Sequence, residues 1–394
     1  MKPLRVGIIA LETWGGGVAY THNLIRALAR LPEDERPHIS LFYESKASLE
    51  KFQAILPCVD QAIAYRPWNA RANSLRGIVF LQKAFLRATG WFLEEAALEL
   101  ALGARKANVQ VMFPLVYAHS GYTPTPITWI PDFQHNDLPE MFSEADRQAR
   151  TVTSTEILRR SKSIVFSSEH AQKQAERLAG KIRPRSSILR FTTVPETSWS
   201  GDPAPVQALY HLPDKYLIVC NQFWAHKDHK TLFKALGLLL KQGTPIHLVC
   251  TGGTNDPRNP DLYASLLAQV RADGLESYIH ILGNVSRDEQ MLLMNGATAV
   301  VQPSLYEGWS TVLEDARALN IPVVASDFPV HLEQNVPNAL YFERGNAQDC
   351  AYAILEALKK EHPRSEQAHA MQEQQVLNFA RTAMTIFEST LDGD

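Results

Sequence analysis

Glu307 is the acid best placed for chemistry in this chain, because Gly308 follows it directly and a helix start comes soon after. Short apolar runs on both sides predict two buried strands, so Glu307 falls in a loop where a parallel strand ends. Ligands of such sheets bind at that edge. Either Ser310 or Thr311 is expected to cap the helix, whose first backbone N–H groups suit a phosphate. The segment therefore predicts a ligand site.

A turn rich in basic side chains follows another predicted strand. It holds His226 and Lys227, and it leads into a helix that begins near His229 and Lys230. We expect Lys227 to lie where strands end, as Glu307 does. His229 and Lys230 are expected to form an ordinary solvated helix start.

Asp132 and His135 come directly after the strand predicted at Ile127–Ile130. An imidazole and a carboxylate at a strand end can orient the hydroxyls of a substrate. The alternative interpretation is a capping aspartate and a surface histidine in a proline-rich loop.

Glycine-rich turns also end predicted strands. Gly16 and Gly17 lie between the first strand and a helix, where glycine lets backbone amides approach a ligand closely. A dinucleotide fingerprint needs a third glycine, but Tyr20 stands in its place. Further along the chain, a turn expected to line a nucleotide pocket is formed by Gly283, Asn284 and Val285.

Length and composition fit two globular domains. The 394 residues exceed what one core usually holds, and 45% hydrophobic with 21% charged residues is ordinary globular composition. A formal charge of −3 gives no global electrostatic reason to bind nucleic acid. The four cysteines form no CxxC pair and are expected to be reduced thiols, and the N-terminal apolar run is too short for a signal peptide. A cytoplasmic protein is expected.

Strand-like apolar runs alternate with helical patterns from end to end, which is typical of parallel sheets covered by helices. The predicted strands are Leu4–Leu11, Ile39–Tyr43, Val109–Phe113, Ile127–Ile130, Ile164–Phe166, Tyr216–Cys220, Ile246–Cys250, Ile279–Leu282, Ala299–Gln302 and Pro322–Ala325. Residues 192–207, rich in Pro, Ser and Thr, are the best linker candidate. We therefore predict two doubly wound α/β domains, 1–200 and 201–372, with a cleft between them where strand ends converge, and a C-terminal helix over 373–394.

The segment around Glu307 resembles the acidic signature of the retaining GT-B glycosyltransferases of family 4, in which two acids eight positions apart flank an aromatic turn above a helix start. The resemblance implies the GT-B fold, with two Rossmann-like domains facing across a cleft and a last helix that returns to the first domain. It gives Glu307 the sugar-facing position. It assigns the donor's sugar and phosphate to the amides of Gly308, Trp309, Ser310 and Thr311.

The resemblance does not fix the second acid of this signature. Asp315 lies eight positions after Glu307, whereas the glutamate, Glu314, lies at seven. Each acid is one helical turn beyond a candidate cap, Ser310 or Thr311. Which carboxylate binds the ribose hydroxyls therefore stays open.

Members of the family carry an arginine and, five residues later, a lysine that hold the donor's diphosphate. Lys227 fits the lysine, whereas Gln222 occupies the arginine position. With one cation lost, Lys227 and the helix amides have to stabilise the leaving phosphate, aided by Gln222 or His226 as neutral donors.

The resemblance also assigns the remaining turns. It places Gly16–Gly17 beside the diphosphate and the acceptor, and the nucleotide base near residues 283–285. Asp132 fits the second residue of a His–Asp pair found at this strand end in many members. The histidine of that pair is absent, so His135 or His119 has to compensate.

The implied activity is transfer of a sugar, with retention, from a nucleotide diphosphate sugar to a hydroxyl of a glycan or lipid-linked acceptor, in bacterial polysaccharide or lipopolysaccharide assembly. No cofactor is expected, and the chain has no obvious Asp-x-Asp strand-end pair, which argues against a metal. Two other interpretations stay open. One is a related nucleotide-sugar enzyme, such as an epimerase or phosphorylase. The other is a catalytically silent nucleotide- or sugar-binding module.

Residues 61–93 contain no acid and interleave basic with aromatic side chains. A basic amphipathic surface can lie on anionic lipid, so residues 66–92 are a candidate for peripheral contact with the inner face of a membrane. Such a contact would suit a lipid-linked acceptor. An ordinary helix with a solvated basic face is the more common alternative. The basic side chains concerned are Arg66, Arg71, Arg76, Lys83 and Arg87.

Overall fold

The computed structural model describes residues 3–65, 95–116, 124–180, 182, 185–359 and 366–391. The chain divides into two compact units. The first unit comprises Met1–Pro131, Ala149–Phe191 and Gln375–Asp394, and the second comprises Asp132–Gln148 and Thr192–Gln374. The candidate lipid-binding residues 66–92 and His119 lie outside the described residues.

The first unit has a sheet of seven parallel strands among its described residues. These strands are β1 (Arg5–Ile9), β2 (His38–Tyr43), β3 (Gln61–Ala64), β4 (Val111–Leu115), β5 (Thr125–Ile130), β6 (Ser163–Phe166) and β7 (Arg185–Ile188). Their spatial order is β3-β2-β1-β4-β5-β6-β7. The order reverses between β1 and β4, so the sheet is doubly wound.

The second unit has a parallel sheet of six described strands. They are β8 (Leu217–Cys220), β9 (Leu248–Thr251), β10 (Ile279–Gly283), β11 (Ala299–Gln302), β12 (Val323–Ser326) and β13 (Leu340–Phe342). The spatial order is β10-β9-β8-β11-β12-β13, with the reversal between β8 and β11. Two parallel α/β units, the fold class expected from the alternating pattern, are thereby confirmed.

Helices occupy most of the connections between strands. They are α1 (Gly15–Ala29), α2 (Lys46–Glu50), α3 (Glu95–Lys106), α4 (Gln134–Asp137), α5 (Glu144–Arg160), α6 (Glu169–Ala179), α7 (Ala204–Leu209), α8 (His229–Lys241), α9 (Leu262–Ala272), α10 (Arg287–Gly296), α11 (Thr311–Ala318), α12 (Pro329–Gln334), α13 (Ala347–Lys359) and α14 (Glu366–Leu391). Short 3-10 turns cover Gln53–Cys58, Pro139–Met141, Thr197–Ser200 and Ala225–Lys227.

The second sheet is buried on both faces. Leu217 and Val219 of β8 belong to one apolar cluster, and the intervening Ile218 belongs to another on the opposite face. Successive side chains of a strand point to opposite faces, so a continuous apolar run fits a strand covered by helices on both sides. Such strands hold the loops at their ends in fixed positions.

The end of α14 packs within the first unit. Phe387 is fully buried, and its ring centroid lies 5.6 Å from that of Phe113 on β4. Nearer the surface, Arg381 Nε lies 2.9 Å from Glu35 Oε2. The predicted apolar positions of this helix are all buried: Val376, Phe379, Ala380, Ala383 and Phe387.

Residues 192–207 are not an open linker. Thr192 and Thr193 are buried, and Trp199 is 2% exposed within an apolar cluster of the second unit. The segment belongs to the second unit from Thr192 onward, and so do Asp132–Gln148, which the predicted boundary at residue 200 placed in the first domain. The polar composition misled because several side chains of the segment, Trp199 among them, are buried in the second unit.

No helix among the described residues is both long and apolar enough to cross a membrane.

Candidate active site

Most predicted site residues lie at one edge of the second sheet. Because its strands are parallel, the segments that follow β8, β9, β10 and β11 leave at the same edge, which we call the carboxyl edge. Lys227 follows β8 and Glu307 follows β11, the two strands between which the order reverses. Ligands of doubly wound sheets bind at such a reversal.

Lys227 and Glu307 form an ion pair at this edge. Lys227 Nζ donates a hydrogen bond to Glu307 Oε1 over 2.7 Å. The two side chains are 15% and 10% exposed. Leu305 N donates to His226 O over 2.7 Å, which ties the Lys227 turn to the Glu307 loop. The pair is thus held by the backbone as well as by its charges, in a partly buried place where attraction exceeds that in water.

Gln302, the last residue of β11, orients the Glu307 carboxylate. Its side chain is fully buried, and its amide nitrogen donates to Glu307 Oε1 at 2.8 Å and to Ser310 Oγ at 3.0 Å. Its amide oxygen accepts from Asn221 Nδ2 at 2.7 Å. Among the described residues, both hydrogen bonds accepted by the carboxylate therefore fall on Oε1. A fully bonded amide in a dry position leaves Glu307 little rotational freedom.

Ser310 is the residue that caps α11. Its hydroxyl accepts from Leu313 N, while its own backbone N–H donates to Gln334 Oε1 over 3.0 Å. Gln334 returns a hydrogen bond from Nε2 to Ser310 O, also at 3.0 Å. The backbone N–H of Ser310, which was predicted to bind the ligand, is therefore already bonded within the protein.

Glu314 is 2% exposed and makes its contacts within the protein. Its Oε1 accepts from Gln334 Nε2 at 2.9 Å, and its Oε2 lies 3.3 Å from Arg317 Nε. Burial raises the pKa of this carboxyl, and the Arg317 charge opposes the rise.

Asp315 has no exposed surface and is more tightly engaged. Arg287 donates to both carboxylate oxygens, at 2.5 Å and 2.6 Å, and Thr193 Oγ1 donates at 2.7 Å. Thr193 comes from the segment that precedes Trp199, whose ring centroid lies 5.1 Å from Arg287 Cζ. Through these bonds Asp315 connects α11 with the start of α10 and with the segment that precedes Trp199.

Gln222 meets the glycine-rich turn that follows β9. Its Oε1 accepts from Gly253 N at 2.9 Å. A Cβ on Gly253 would lie 2.6 Å from that oxygen and 3.4 Å from Asn284 Oδ1, so Gln222, Gly253 and Asn284 are close together. Gly252 has a φ of +121°, and a Cβ there would lie 2.3 Å from Asn221 O. Only glycine fits this approach between adjacent turns.

The basic turn contains uncharged histidines. His229 is 2% exposed and stacks on Phe223 with ring centroids 4.1 Å apart, which corrects the expectation of a solvated histidine. Burial, and then the Lys227 charge, lower the pKa of His229 to about 3. Lys230 is exposed, as expected. Stacking on the buried Phe223 ring accounts for the burial of His229.

Asp132 and His135 belong to the second unit. Asp132 Oδ1 accepts from Gln134 N at 3.0 Å, which is a local cap. His135 is 4% exposed, so the alternative of a surface histidine is wrong for it. The segment reaches the Glu307 loop through Tyr306, whose hydroxyl accepts from Phe133 N at 3.0 Å.

Gly16 and Gly17 lie in the first turn of α1, in the first unit. A Cβ on Gly17 would lie 2.8 Å from Leu11 O, so close packing of helix on strand end requires glycine there. At Gly16 the same atom would lie 3.2 Å from Trp14 Nε1. Packing thus accounts for Gly17, and the ligand role of both glycines stays a prediction.

Three buried side-chain amides of the site were not predicted: Asn221, Gln302 and Gln334. Gln302 ends an apolar strand and Asn221 directly follows one, so each lies at the edge that predicts ligand sites. Their position at strand ends is the sequence feature that could have identified these two residues. No comparable feature marks Gln334, because it reaches Ser310 only through the packing of α12.

Much of the second unit matches a known family of proteins. Residues 207–375 match the family model of the glycosyl transferases group 1. Over 142 residues the chain is 30% identical to the O-antigen chain mannosyltransferase RfbU of Salmonella typhimurium. That match covers 36% of this chain and 38% of RfbU.

Solved structures match nearly the whole chain. The Anabaena protein HepE, in complex with UDP and glucose, matches with a TM-score of 0.65 and 15% identity over 98% of this chain and 100% of HepE. WaaG, a glycosyltransferase involved in lipopolysaccharide biosynthesis, matches with a TM-score of 0.57 and 12% identity over 98% of each chain. At such identities the likeness concerns the fold, which is that of the GT-B glycosyltransferases.

The burial of Asp315 predicts a structural role. We expect Asp315→Asn to lower the free energy of unfolding by about 3 kcal/mol, because it leaves Arg287 without its charged partner. Nucleoside affinity of the folded variant should change less than about 2-fold, under 0.5 kcal/mol. Chemical denaturation and calorimetric titration of the nucleoside that matches the donor base measure the two effects. A loss above about 10-fold, or 1.4 kcal/mol, in the folded protein would assign the ribose to Asp315 instead.

Proposed function

We propose that this protein is a retaining glycosyltransferase of family 4 that moves a sugar from a nucleotide diphosphate sugar to an acceptor hydroxyl. The observation that carries the proposal is the Lys227–Glu307 ion pair at the strand-order reversal of a unit that matches the glycosyl transferases group 1. The names of RfbU and WaaG support O-antigen or other polysaccharide assembly as the setting, with a glycan or lipid-linked acceptor. The site is proposed to face the cytoplasm.

The ion pair matches the charges that sugar transfer develops. As the bond to the nucleotide diphosphate breaks, negative charge grows on the phosphate and positive charge grows on the sugar ring. Lys227 stabilises the first and Glu307 the second, and the two side chains are already fixed 2.7 Å apart. Groups that need no reorganisation during the reaction lower its barrier most.

Neutral donors complete the proposed donor site. Hydrogen bonds to the phosphate and sugar oxygens would come from the backbone N–H groups of Gly308, Trp309 and Thr311 and from the side chain of Gln222. The base would pack near residues 283–285. The reaction as proposed uses no cofactor and no metal.

The donor class is tested by thermal stabilisation with UDP, GDP, dTDP, ADP and NAD at matched concentrations. A ligand that binds only the folded state adds about 2.7 kcal/mol at 100 times its Kd. We expect one nucleoside diphosphate to raise Tm with increasing concentration. Stabilisation by NAD alone would contradict a transferase and favour a dinucleotide enzyme.

Glu307→Gln should lower transfer by about 100-fold or more, because it removes a charge that acts on the sugar in the transition state. The measurement is kcat with the donor found in the nucleotide panel, at a temperature where the variant is fully folded. Glu276→Gln, at an exposed position of the same unit, is the matched control. Unchanged turnover in Glu307→Gln would remove this carboxylate from the mechanism.

Lys227→Ala should weaken nucleoside diphosphate binding by about 10-fold or more, since a charge-assisted hydrogen bond contributes about 1.5–3 kcal/mol. The parent nucleoside, which lacks the phosphates, should bind almost as before. Lys230→Ala removes an exposed lysine from the adjoining helix and serves as the control. Equal losses for diphosphate and nucleoside would mean that Lys227 shapes the pocket without contacting phosphate.

A further inference from the structure

The loop after β9 folds over the turn that carries Lys227. Trp224 Nε1 donates to Asn255 O at 3.3 Å, and Ala225 N donates to Asp256 Oδ2 at 3.0 Å. Asp256 Oδ1 in turn accepts from Arg258 N at 3.0 Å. The buried Asp256 thus connects the turn to the base of the Arg258 side chain.

Arg258 is held in place over this turn. Its Cζ lies 4.7 Å from the ring centroid of Phe142 and 5.8 Å from that of Trp224, and its Nε lies 3.8 Å from Asp256 Oδ1. Its Nη2 approaches Nδ1 of His226 at 3.5 Å. A guanidinium has donors and no acceptor, so Nδ1 has to be the acceptor in this contact.

The contact determines where His226 carries its proton. A neutral imidazole has one protonated nitrogen, and when Nδ1 accepts, the hydrogen is on Nε2. His226 is 6% exposed, and burial, followed by the charges of Lys227 and Arg258, lowers its pKa well below the ordinary value. The contact and the lowered pKa together favour a neutral ring with its hydrogen on Nε2.

His226 lies next to the charged pair. Its backbone oxygen accepts from Leu305 N, two residues before Glu307, and Lys227 is the next residue along the chain. We propose that Arg258 is a positioning residue that holds His226 as the Nε2–H tautomer, so that His226 donates to a phosphate oxygen of the nucleoside diphosphate group beside Lys227. This inference rests on the proposed function. The donor is neutral, so it stabilises the departing phosphate without giving up its proton.

Two substitutions of His226 distinguish which of its two ring nitrogens donates to the phosphate. Glutamine places an amide N–H near the position of Nε2, whereas asparagine places it near Nδ1. We expect His226→Asn to weaken nucleoside diphosphate binding by about 10-fold, the loss of one hydrogen bond to a charged group, and His226→Gln to keep it within about 3-fold. Calorimetry with the diphosphate and its parent nucleoside measures both. Equal affinities of the two variants for the diphosphate would overturn the proposal.

The role of Arg258 is tested without any ligand. In protein labelled with ¹⁵N at histidine, the ring shifts of His226 should report an Nε2–H tautomer. Arg258→Lys should preserve it because an ammonium also lacks an acceptor, while Arg258→Met should mix the tautomers. Arg271→Met, at an exposed position on α9, is the control. An Nδ1–H ring in the unaltered protein, or no effect of Arg258→Met, would refute the positioning role. Failure of every nucleoside diphosphate in the stabilisation panel would instead refute the proposed function, and the tautomer result would still stand.

Discussion

The geometry of the site depends on the neighbouring positions of β8 and β11. These strands are paired in parallel, although two other strands separate them in the chain, and the turns after both leave the sheet at the same edge. Lys227 and Glu307 come from those two turns, so their 2.7 Å contact depends on the pairing of β8 with β11. Pairing of the two strands at the order reversal therefore brings the charged pair together.

Buried polar side chains surround the Lys227–Glu307 pair, and burying such groups costs free energy unless each one is hydrogen-bonded. Here they are hydrogen-bonded to one another. Gln302 uses both ends of its amide, and Gln334 does the same around Ser310. An unsatisfied buried donor costs about 1–3 kcal/mol, so a displaced Gln302 would leave Asn221 and Ser310 underbonded together. The network favours one orientation of Glu307 for this reason, and a rigid carboxylate suits a role in transition-state stabilisation.

The central strands of both sheets could be predicted from apolar runs, whereas β3, β7 and β13 were missed. All three are edge strands, and each is partly exposed. An edge strand is covered less completely, so its sequence needs no continuous apolar run. At the site, the position of Glu307 and Lys227 after strand ends was predictable. Their pairing and the burial of Asp315 were not, because both depend on contacts between residues 28 to 122 positions apart in the chain.

Charge balance around the turn explains why a neutral donor is useful beside Lys227. Lys227 pairs with Glu307, and Arg258 lies 3.8 Å from Asp256, so the turn already holds two cations, each with an acidic neighbour. A third cation at His226 would have to be created in a buried position near Lys227 and Arg258, which desolvation and repulsion oppose. A neutral N–H has no such cost, and its hydrogen bond strengthens as the phosphate oxygen gains charge. Selective stabilisation of the developing charge, with little extra binding of the ground state, is the property that accelerates a reaction.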